Sequence, residues 1–169
     1  MKNKIYFAKT KPDAIIPSKR KEDAGYDIYP CFEDNEIIIP IGGIKIIPTG
    51  IASAFSSDYV LIVKERGSTG SKCMSVRMGV IDSGYRNEIL IGINNTGCNP
   101  IIIAKDIEKT KNLILPQDEF GYIIYPYQKA IAQLVLLPVP KVKAEEIPYN
   151  DLLKIESERR LGRLGSTNK

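Results

Sequence analysis

The apolar residues of this chain come in runs too short to make helices. Residues 4–8, 26–29, 51–55, 59–64, 89–93, 100–104, 122–125 and 130–138 are each rich in Ile, Val, Leu or Tyr, and Gly, Pro or Asn breaks the pattern between them. A helix needs apolar positions recurring every 3–4 residues over about ten or more, whereas a strand needs only about five residues. Interruption about every eight to twelve residues therefore predicts an all-β fold, a sandwich or a closed barrel. The stretch 36–48 reads as a further pair of strands, a hairpin turning near Gly42 and Gly43. Helix is limited to a turn or two at 68–75 and one at 145–153.

With 169 residues, 43% of them apolar, the chain has material for one domain with a substantial core. The net charge of +4 is modest, and the basic residues are spread along the chain rather than gathered in a block. That excludes a duplex nucleic-acid binder. Lys2 and Lys4 are not followed by an apolar helical run, so no secretory signal is expected, and no stretch is long enough to span a membrane. Cys31, Cys73 and Cys98 are odd in number and lack CxxC spacing, which fits reduced thiols in a cytoplasmic protein. The chain has no histidine. Ser-His-Asp and Cys-His catalysis are thereby excluded, and any hydrolysis must rest on carboxylates and cationic side chains.

Two segments carry chemistry. In Gly79-Val80-Ile81-Asp82-Ser83-Gly84-Tyr85-Arg86-Asn87-Glu88-Ile89, a lone carboxylate follows an apolar pair, a Ser-Gly turn comes next, and an aromatic starts the return. This reads either as an ordinary surface turn or as a hairpin mouth in which Asp82 activates water and Tyr85 packs over a flat heterocycle. The C-terminal Arg159-Arg160-Leu161-Gly162-Arg163-Leu164-Gly165-Ser166-Thr167 is basic, glycine-containing and rich in hydroxyls. It reads either as a frayed tail or as a phosphate-binding arm, in which guanidinium, hydroxyl and backbone N–H groups meet an anion.

Together these segments resemble motifs of the trimeric dUTP diphosphatases, the dUTPases. The resemblance extends through Asp23-Ala24-Gly25-Tyr26-Asp27-Ile28, Arg66-Gly67-Ser68-Thr69-Gly70 and Ile131-Ala132-Gln133-Leu134, so that five short motifs stand in the family's order. It implies a distorted jelly-roll-like β-barrel with minimal helix, occupying residues 1–155, and a mobile phosphate-binding arm at 156–169. It implies hydrolysis of dUTP to dUMP and pyrophosphate, with Asp82 activating the attacking water. Gly79, Ile81, Tyr85, Glu88, Ile89 and Leu164 would surround the base and sugar. Arg66, Gly67, Ser68, Gln133, Arg159, Gly165, Ser166 and Thr167 would hold the phosphates. Mg²⁺ would be bound mainly by phosphates and water, with Asp27 reaching its shell through water; the alternative for Asp27 is a strand-end carboxylate that fixes a turn. The family's C₃ homotrimer would share each active site among subunits.

The chain departs from that pattern in several places. Gly67 stands where serine is usual after the arginine, Ala130 where an arginine is usual, and Leu164 where a phenylalanine often stacks on uracil. Asn87 replaces a glycine. The segment 96–121 is longer than the family core requires, with 101–103 and 113–115 expected to pair as an added hairpin. Some bacteriophage dUTPases resemble this arrangement, and the segment is either a surface elaboration or a site for a protein partner. Two other functions share the fold: a dCTP deaminase, which needs a glutamate near the position of Gly92, and a regulatory protein-binding module with weak catalysis.

Overall fold

The computed structural model describes residues 4–113, 121–158 and 161. Among these, twelve strands dominate, with three short helices. The strands are β1 (Ile5–Lys9), β2 (Gly25–Ile28), β3 (Glu36–Ile39), β4 (Ile44–Pro48), β5 (Ile51–Phe55), β6 (Tyr59–Lys64), β7 (Met74–Arg77), β8 (Val80–Ile81), β9 (Leu90–Asn95), β10 (Ile101–Ala104), β11 (Ile123–Pro126) and β12 (Ala132–Pro138). The helices are α1 (Gly67–Gly70), α2 (Ile107–Leu113) and α3 (Tyr149–Leu152). The result is the mostly-β architecture that the short apolar runs predict, in the jelly-roll-like form that the resemblance implies.

The strands form four small sheets, ordered β1-β5, β11-β10-β3, β2-β12-β6-β8 and β4-β9-β7. No ladder among the described residues joins them into a continuous closed barrel. Their inward faces meet in one core that includes Ile28, Ile39, Ile47, Phe55, Leu61, Met74, Ile91 and Leu134. Each such aliphatic side chain contributes about 1.5–3 kcal/mol relative to exposure. Alternation is clean in β5, where Ile51, Ser53 and Phe55 point inward.

The expected hairpin at 36–48 is replaced by longer-range pairing. β3 pairs with β10, and β4 pairs with β9 in another sheet. The turn between β3 and β4 is captured by the end of β9: Gly42 donates to the Asn95 carbonyl at 2.9 Å, and Asn95 donates to Gly43 at 3.0 Å. Gly42 has φ +70°, which suits a residue without Cβ. Similarly, β8 pairs with β6 whereas β9 lies between β4 and β7, so residues 82–89 cross from one sheet to another.

The expected pairing of 101–103 with 113–115 does not form. All four residues of β10 are buried, and the strand runs at the centre of its sheet, antiparallel to β3 and parallel to β11. Leu113 ends the helix α2, and 114–115 lie outside the described residues. The strand β7 was not expected at all. Cys73 and Met78, with φ of 59° and 60°, make the bends at its two ends. Non-glycine residues at positive φ give no turn signal in a sequence.

The compact β unit ends at Val139, ahead of the boundary expected at 155. The second unit, 140–169, is distinct: among its described residues there is no strand, α3 buries no side chain, and its ion pairs Lys143–Glu145 (2.7 Å) and Lys154–Asp151 (2.6 Å) are local. Every residue of 140–155 is exposed, so none of them joins the core of the β unit.

Candidate active site

The site is organised by the sheet β2-β12-β6-β8. At one edge, β2 and β12 put Asp27 directly opposite Gln133, and β12 and β6 put Gln133 opposite Lys64, the end of β6. The chain then passes through Glu65 to Arg66, which caps α1. The Arg66 guanidinium returns to Asp27, with Nε donating to Oδ1 at 2.7 Å and Nη2 to Oδ2 at 3.1 Å. This two-pronged pair is about one-third exposed (31% and 32%). Its geometry matters more than its energy, on the order of 1 kcal/mol at such exposure.

The backbone of Arg66 is fixed by Thr69, a fully buried residue whose hydroxyl accepts from the Arg66 N–H at 2.9 Å and donates to the Arg66 carbonyl at 3.1 Å. Arg66 Nη1 donates to the Ser68 hydroxyl at 3.2 Å. Gln133 Nε2 donates to the Glu65 carbonyl at 2.7 Å. These groups line a groove of about 920 Å³ whose other wall is the loop from Ser18 to Ala24. In that wall Arg20 forms its own pair with Asp23, at 2.9 and 3.0 Å. The groove brings together Asp27, Arg66, Gly67, Ser68 and Gln133, all expected near phosphate or metal.

A second cavity, of about 390 Å³, opens beside the far edge strand β8 and is lined by Gly79, Val80, Ile81, Asp82, Tyr85 and Leu90. Gly79 is pressed against β6: its carbonyl accepts from the Val63 N–H at 2.8 Å, and a Cβ on it would lie 3.2 Å from the Val63 carbonyl. The turn Asp82-Ser83-Gly84-Tyr85 is closed by the Tyr85 N–H donating to the Asp82 carbonyl at 3.0 Å. The Tyr85 hydroxyl donates to the Glu88 carbonyl at 2.9 Å, which fixes the ring while leaving it 40% exposed. Arg86 ties the turn from behind, with Nη1 donating to the Ser83 carbonyl at 2.5 Å. The Asp82 side chain is exposed, and among the described residues no donor bonds to it.

Two residues expected beside the base are committed to the fold. The Glu88 carboxylate accepts from the Gly50 N–H at 2.6 Å. Ile89 is fully buried; its N–H donates to Ile51 at 2.7 Å, and its carbonyl accepts from the Thr49 hydroxyl at 2.6 Å. They hold the loop rather than line the cavity. Arg159, Leu164, Gly165, Ser166 and Thr167 lie outside the described residues.

No sequence signal singles out Tyr125. It stands on β11, 1% exposed, and its hydroxyl donates to the Ala130 carbonyl at 2.7 Å. Burial holds the phenol above its ordinary pKa, while the Ser68 hydroxyl and the Arg66 guanidinium beside it act in the opposite direction. An aromatic in a short strand reads as core, and its hydroxyl carries no positional signal.

Register separates the two cavities. Ile81 lies opposite Leu61, which lies opposite Leu136, whereas Asp27 lies opposite Gln133. With β-strand spacing and rise, the edge residues Ile81 and Asp27 are on the order of 17 Å apart.

Comparison with known proteins agrees with this geometry. The dUTPase family model matches residues 11–115. The chain is 30% identical over 163 residues to a deoxyuridine 5'-triphosphate nucleotidohydrolase of Clostridioides difficile, covering 94% of each chain. It is 30% identical over 115 residues to a protein of the same name from Leptospira interrogans, covering 66% of this chain and 79% of that one. Among solved structures, the dUTPase of Staphylococcus bacteriophage 80alpha with dUPNHPP superposes with a TM-score of 0.72 at 23% identity, over 99% of both chains. The EIAV dUTPase gives 0.61 at 24% identity, over 87% of this chain and 98% of that one. The chain belongs to the dUTPase family.

Proposed function

We propose that this dUTP diphosphatase hydrolyses dUTP at its α-phosphate, with Asp82 as the base that activates water. The observation that carries the reading is the Asp82 carboxylate, unpaired among the described residues, at the rim of the cavity that Tyr85 walls. A water bonded to that carboxylate gives it a proton as its oxygen attacks phosphorus, and the bond from the α-phosphorus to the pyrophosphate oxygen breaks. General-base assistance of this kind contributes roughly 10²–10⁴-fold in rate. Ile81, Leu90 and the Tyr85 ring supply apolar walls for uracil and deoxyribose. The ring is fixed through its hydroxyl, and a sugar packed against it would meet that wall with its 2′ position. Rejection by a fixed wall costs a wrong ligand more than a missing contact does.

The phosphates fall to the groove, where Arg66, Gly67, Ser68 and Gln133 converge. Arg159, Gly165, Ser166 and Thr167 complete the set from the C-terminal segment. Arg66 meets developing negative charge on the leaving pyrophosphate. Bound Mg²⁺ supplies charge neutralisation to the triphosphate. The donor set suits an indirectly held ion: no group of three ligating side chains stands together among the described residues, while each Asp27 oxygen accepts one bond from Arg66 and keeps a lone pair for a metal-bound water. Asp27 is the residue that would hold it, through water.

The separation of the strand edges at Ile81 and Asp27, on the order of 17 Å, supports an active site shared between subunits of a homotrimer. Hydrogen bonds span about 3 Å, so a gap of that size leaves the Asp27 edge of a single chain out of reach of a phosphate reacting beside Asp82. Exposed Ile44, Ile46, Met78 and Val80 offer apolar surface for such an assembly. Deamination is disfavoured at Gly92, which carries no carboxylate and where a Cβ would already lie 3.2 Å from the Arg77 carbonyl. Incubation with dUTP, dCTP, dTTP and UTP in turn, with Mg²⁺, tests the reading. Release of dUMP and pyrophosphate from dUTP alone is expected; a deaminated product from dCTP, or no turnover of any, would overturn it.

A further inference from the structure

The groove has a second arginine, in the wall across from Arg66. The chain between β1 and β2 folds back at its base, where the Asp27 N–H donates to the Ser18 carbonyl at 2.8 Å and the two residues form an antiparallel bridge. Its tip is the turn from Arg20 to Asp23. The Asp23 N–H donates to the Arg20 carbonyl at 3.2 Å, and the Lys19 ammonium donates to the Asp23 carbonyl at 2.6 Å. Arg20 thus stands two residues past the bridge to Asp27, on the order of 7 Å along an extended chain.

Asp23 holds Arg20 in the way that Asp27 holds Arg66. Arg20 Nε donates to Asp23 Oδ2 at 2.9 Å and Nη2 donates to Oδ1 at 3.0 Å, while Oδ2 also accepts from the Arg20 N–H at 3.1 Å. The guanidinium has further N–H groups on Nη1 and Nη2, and among the described residues no acceptor takes them. Asp23, by its hydrogen bond and its charge, holds the Arg20 proton more tightly than usual, and Asp27 adds its charge to that effect. The charged side chains around the groove balance, with Lys19, Arg20 and Arg66 set against Glu22, Asp23 and Asp27. Net charge therefore does not draw a polyanion here. Directed donors must do so, and a fixed guanidinium fork suits phosphate oxygens.

We propose that Arg20 is a further binding residue of the triphosphate site, donating to the phosphates beyond the α-phosphate from the loop wall while Arg66 meets them from α1. Asp23 is its positioning residue. This deepens the reading of the groove as the triphosphate site and rests on it. Since the α-phosphate reacts beside Asp82, the groove takes the phosphates that follow it, and a nucleoside monophosphate gains nothing from Arg20. Capture breaks no bond, because the free N–H groups are additional to those that Asp23 uses. The Arg20 side chain is 88% exposed, and a pair so open to water is held weakly enough for the arginine to follow its ligand.

The test uses the full-length protein and a non-hydrolysable imido analogue of dUTP, with dUMP as the control ligand. Arg20→Gln keeps the length of the side chain and removes its charge. It weakens analogue binding about fivefold to twentyfold, the effect of one charge-assisted hydrogen bond, and leaves dUMP affinity unchanged. Arg20→Lys recovers part of the loss, because it restores the charge without the fork. Added sodium chloride lowers analogue affinity less steeply in Arg20→Gln than in the wild type, since one exposed cationic contact is gone. Asp23→Asn, which leaves Arg20 charged but loosely held, also weakens the analogue and spares dUMP; tighter binding would refute the positioning role. Analogue affinity in Arg20→Gln equal to the wild type, or an equal loss for dUMP, would overturn the proposal. So would a lowered melting temperature with unchanged affinity, since the pair would then serve the loop alone. Arg66→Ala, measured alongside, separates the two readings. A loss there with none in Arg20→Gln refutes the role of Arg20 and leaves the groove standing, whereas no loss in either refutes the groove as the triphosphate site.

Discussion

Gln133 fills the space that a side chain on residue 25 would need. A Cβ built on Gly25 would sit 2.6 Å from Gln133 Oε1 and 2.9 Å from Gln133 Cβ. The glycine of the Ala24-Gly25-Tyr26-Asp27 strand is therefore a condition for Gln133 to lie flat across β2 and reach the Glu65 carbonyl.

Gly25→Ala is expected to cost about 1–3 kcal/mol, the usual range for overpacking. It should also displace Gln133 from the groove. Thermal unfolding measures the first effect and analogue affinity the second. Adding Gln133→Ala removes the Oε1 contact but keeps the Cβ contact, so it should recover part of the melting temperature and none of the affinity. A Gly25→Ala protein that melts like the wild type would show that the strand yields more easily than its pairing implies.

Asp82→Asn should keep the fold and the affinity for a dUTP analogue while turnover falls by at least about 10²-fold. The carboxylate holds no partner among the described residues, so its loss should leave the unfolding midpoint unchanged. Near-normal turnover would remove Asp82 from its role.

At Gly67 the prediction runs the other way. A Cβ there meets nothing within 4 Å, and the residue needs no positive φ. Gly67→Ser should stay within about 0.5 kcal/mol of the wild type in stability. It should also bind the analogue about threefold more tightly, by adding one hydroxyl to the groove. A large loss of stability would mean that the start of α1 is more constrained than its open surroundings suggest.

Alkaline stability should report on Tyr125. Its folded pKa is raised above the ordinary 10.0, first by burial. A raised folded value means that stability is whole below 10.0 and is lost as the pH climbs through the folded value, because the native state resists giving up the proton. Tyr125→Phe should start from a lower stability, since the Ala130 carbonyl loses its donor, yet decline less steeply between about pH 9 and about pH 11. Urea midpoints across that range measure both slopes; parallel slopes would contradict the assignment.

Subunit sharing can be tested by mixing. Asp82→Asn and Arg66→Ala chains, each inactive alone, should regain part of the activity when co-expressed, because some assembled sites then combine intact halves. Light scattering should give a mass near three times 18.8 kDa. No recovery in co-expressed chains, or full activity in a single-chain species, would refute the shared site.

Much of the site was legible because its residues lie on strands whose register does the assembling. Asp27, Gln133 and Lys64 are distant in sequence but adjacent across β2, β12 and β6, and short apolar runs with Gly and Pro punctuation mark those strands well. Partner choice was less legible. The Gly42-Gly43 turn permits a local hairpin, but Asn95 competes for its backbone and wins, which no local pattern reveals. Glu88 reads as a loop acid near a ligand until Gly50, 38 residues away, takes its carboxylate. Tyr125 was hidden differently: its ring follows the rules of burial, while its hydroxyl answers to the Ala130 carbonyl.

The ties around the catalytic loop have a consequence for binding entropy. Residues 82–89 are bonded to the turn at Gly50, to β5 through Ile51, and to themselves through Tyr85 and Arg86. Ordering a loop on ligand capture typically costs about 0.5–1.5 kcal/mol for each side chain immobilised. Here that ordering is complete when the domain folds. On the proposed reading, a nucleotide entering the cavity would meet a loop whose backbone is already ordered, so that the freedom lost on binding would fall mainly on the ligand.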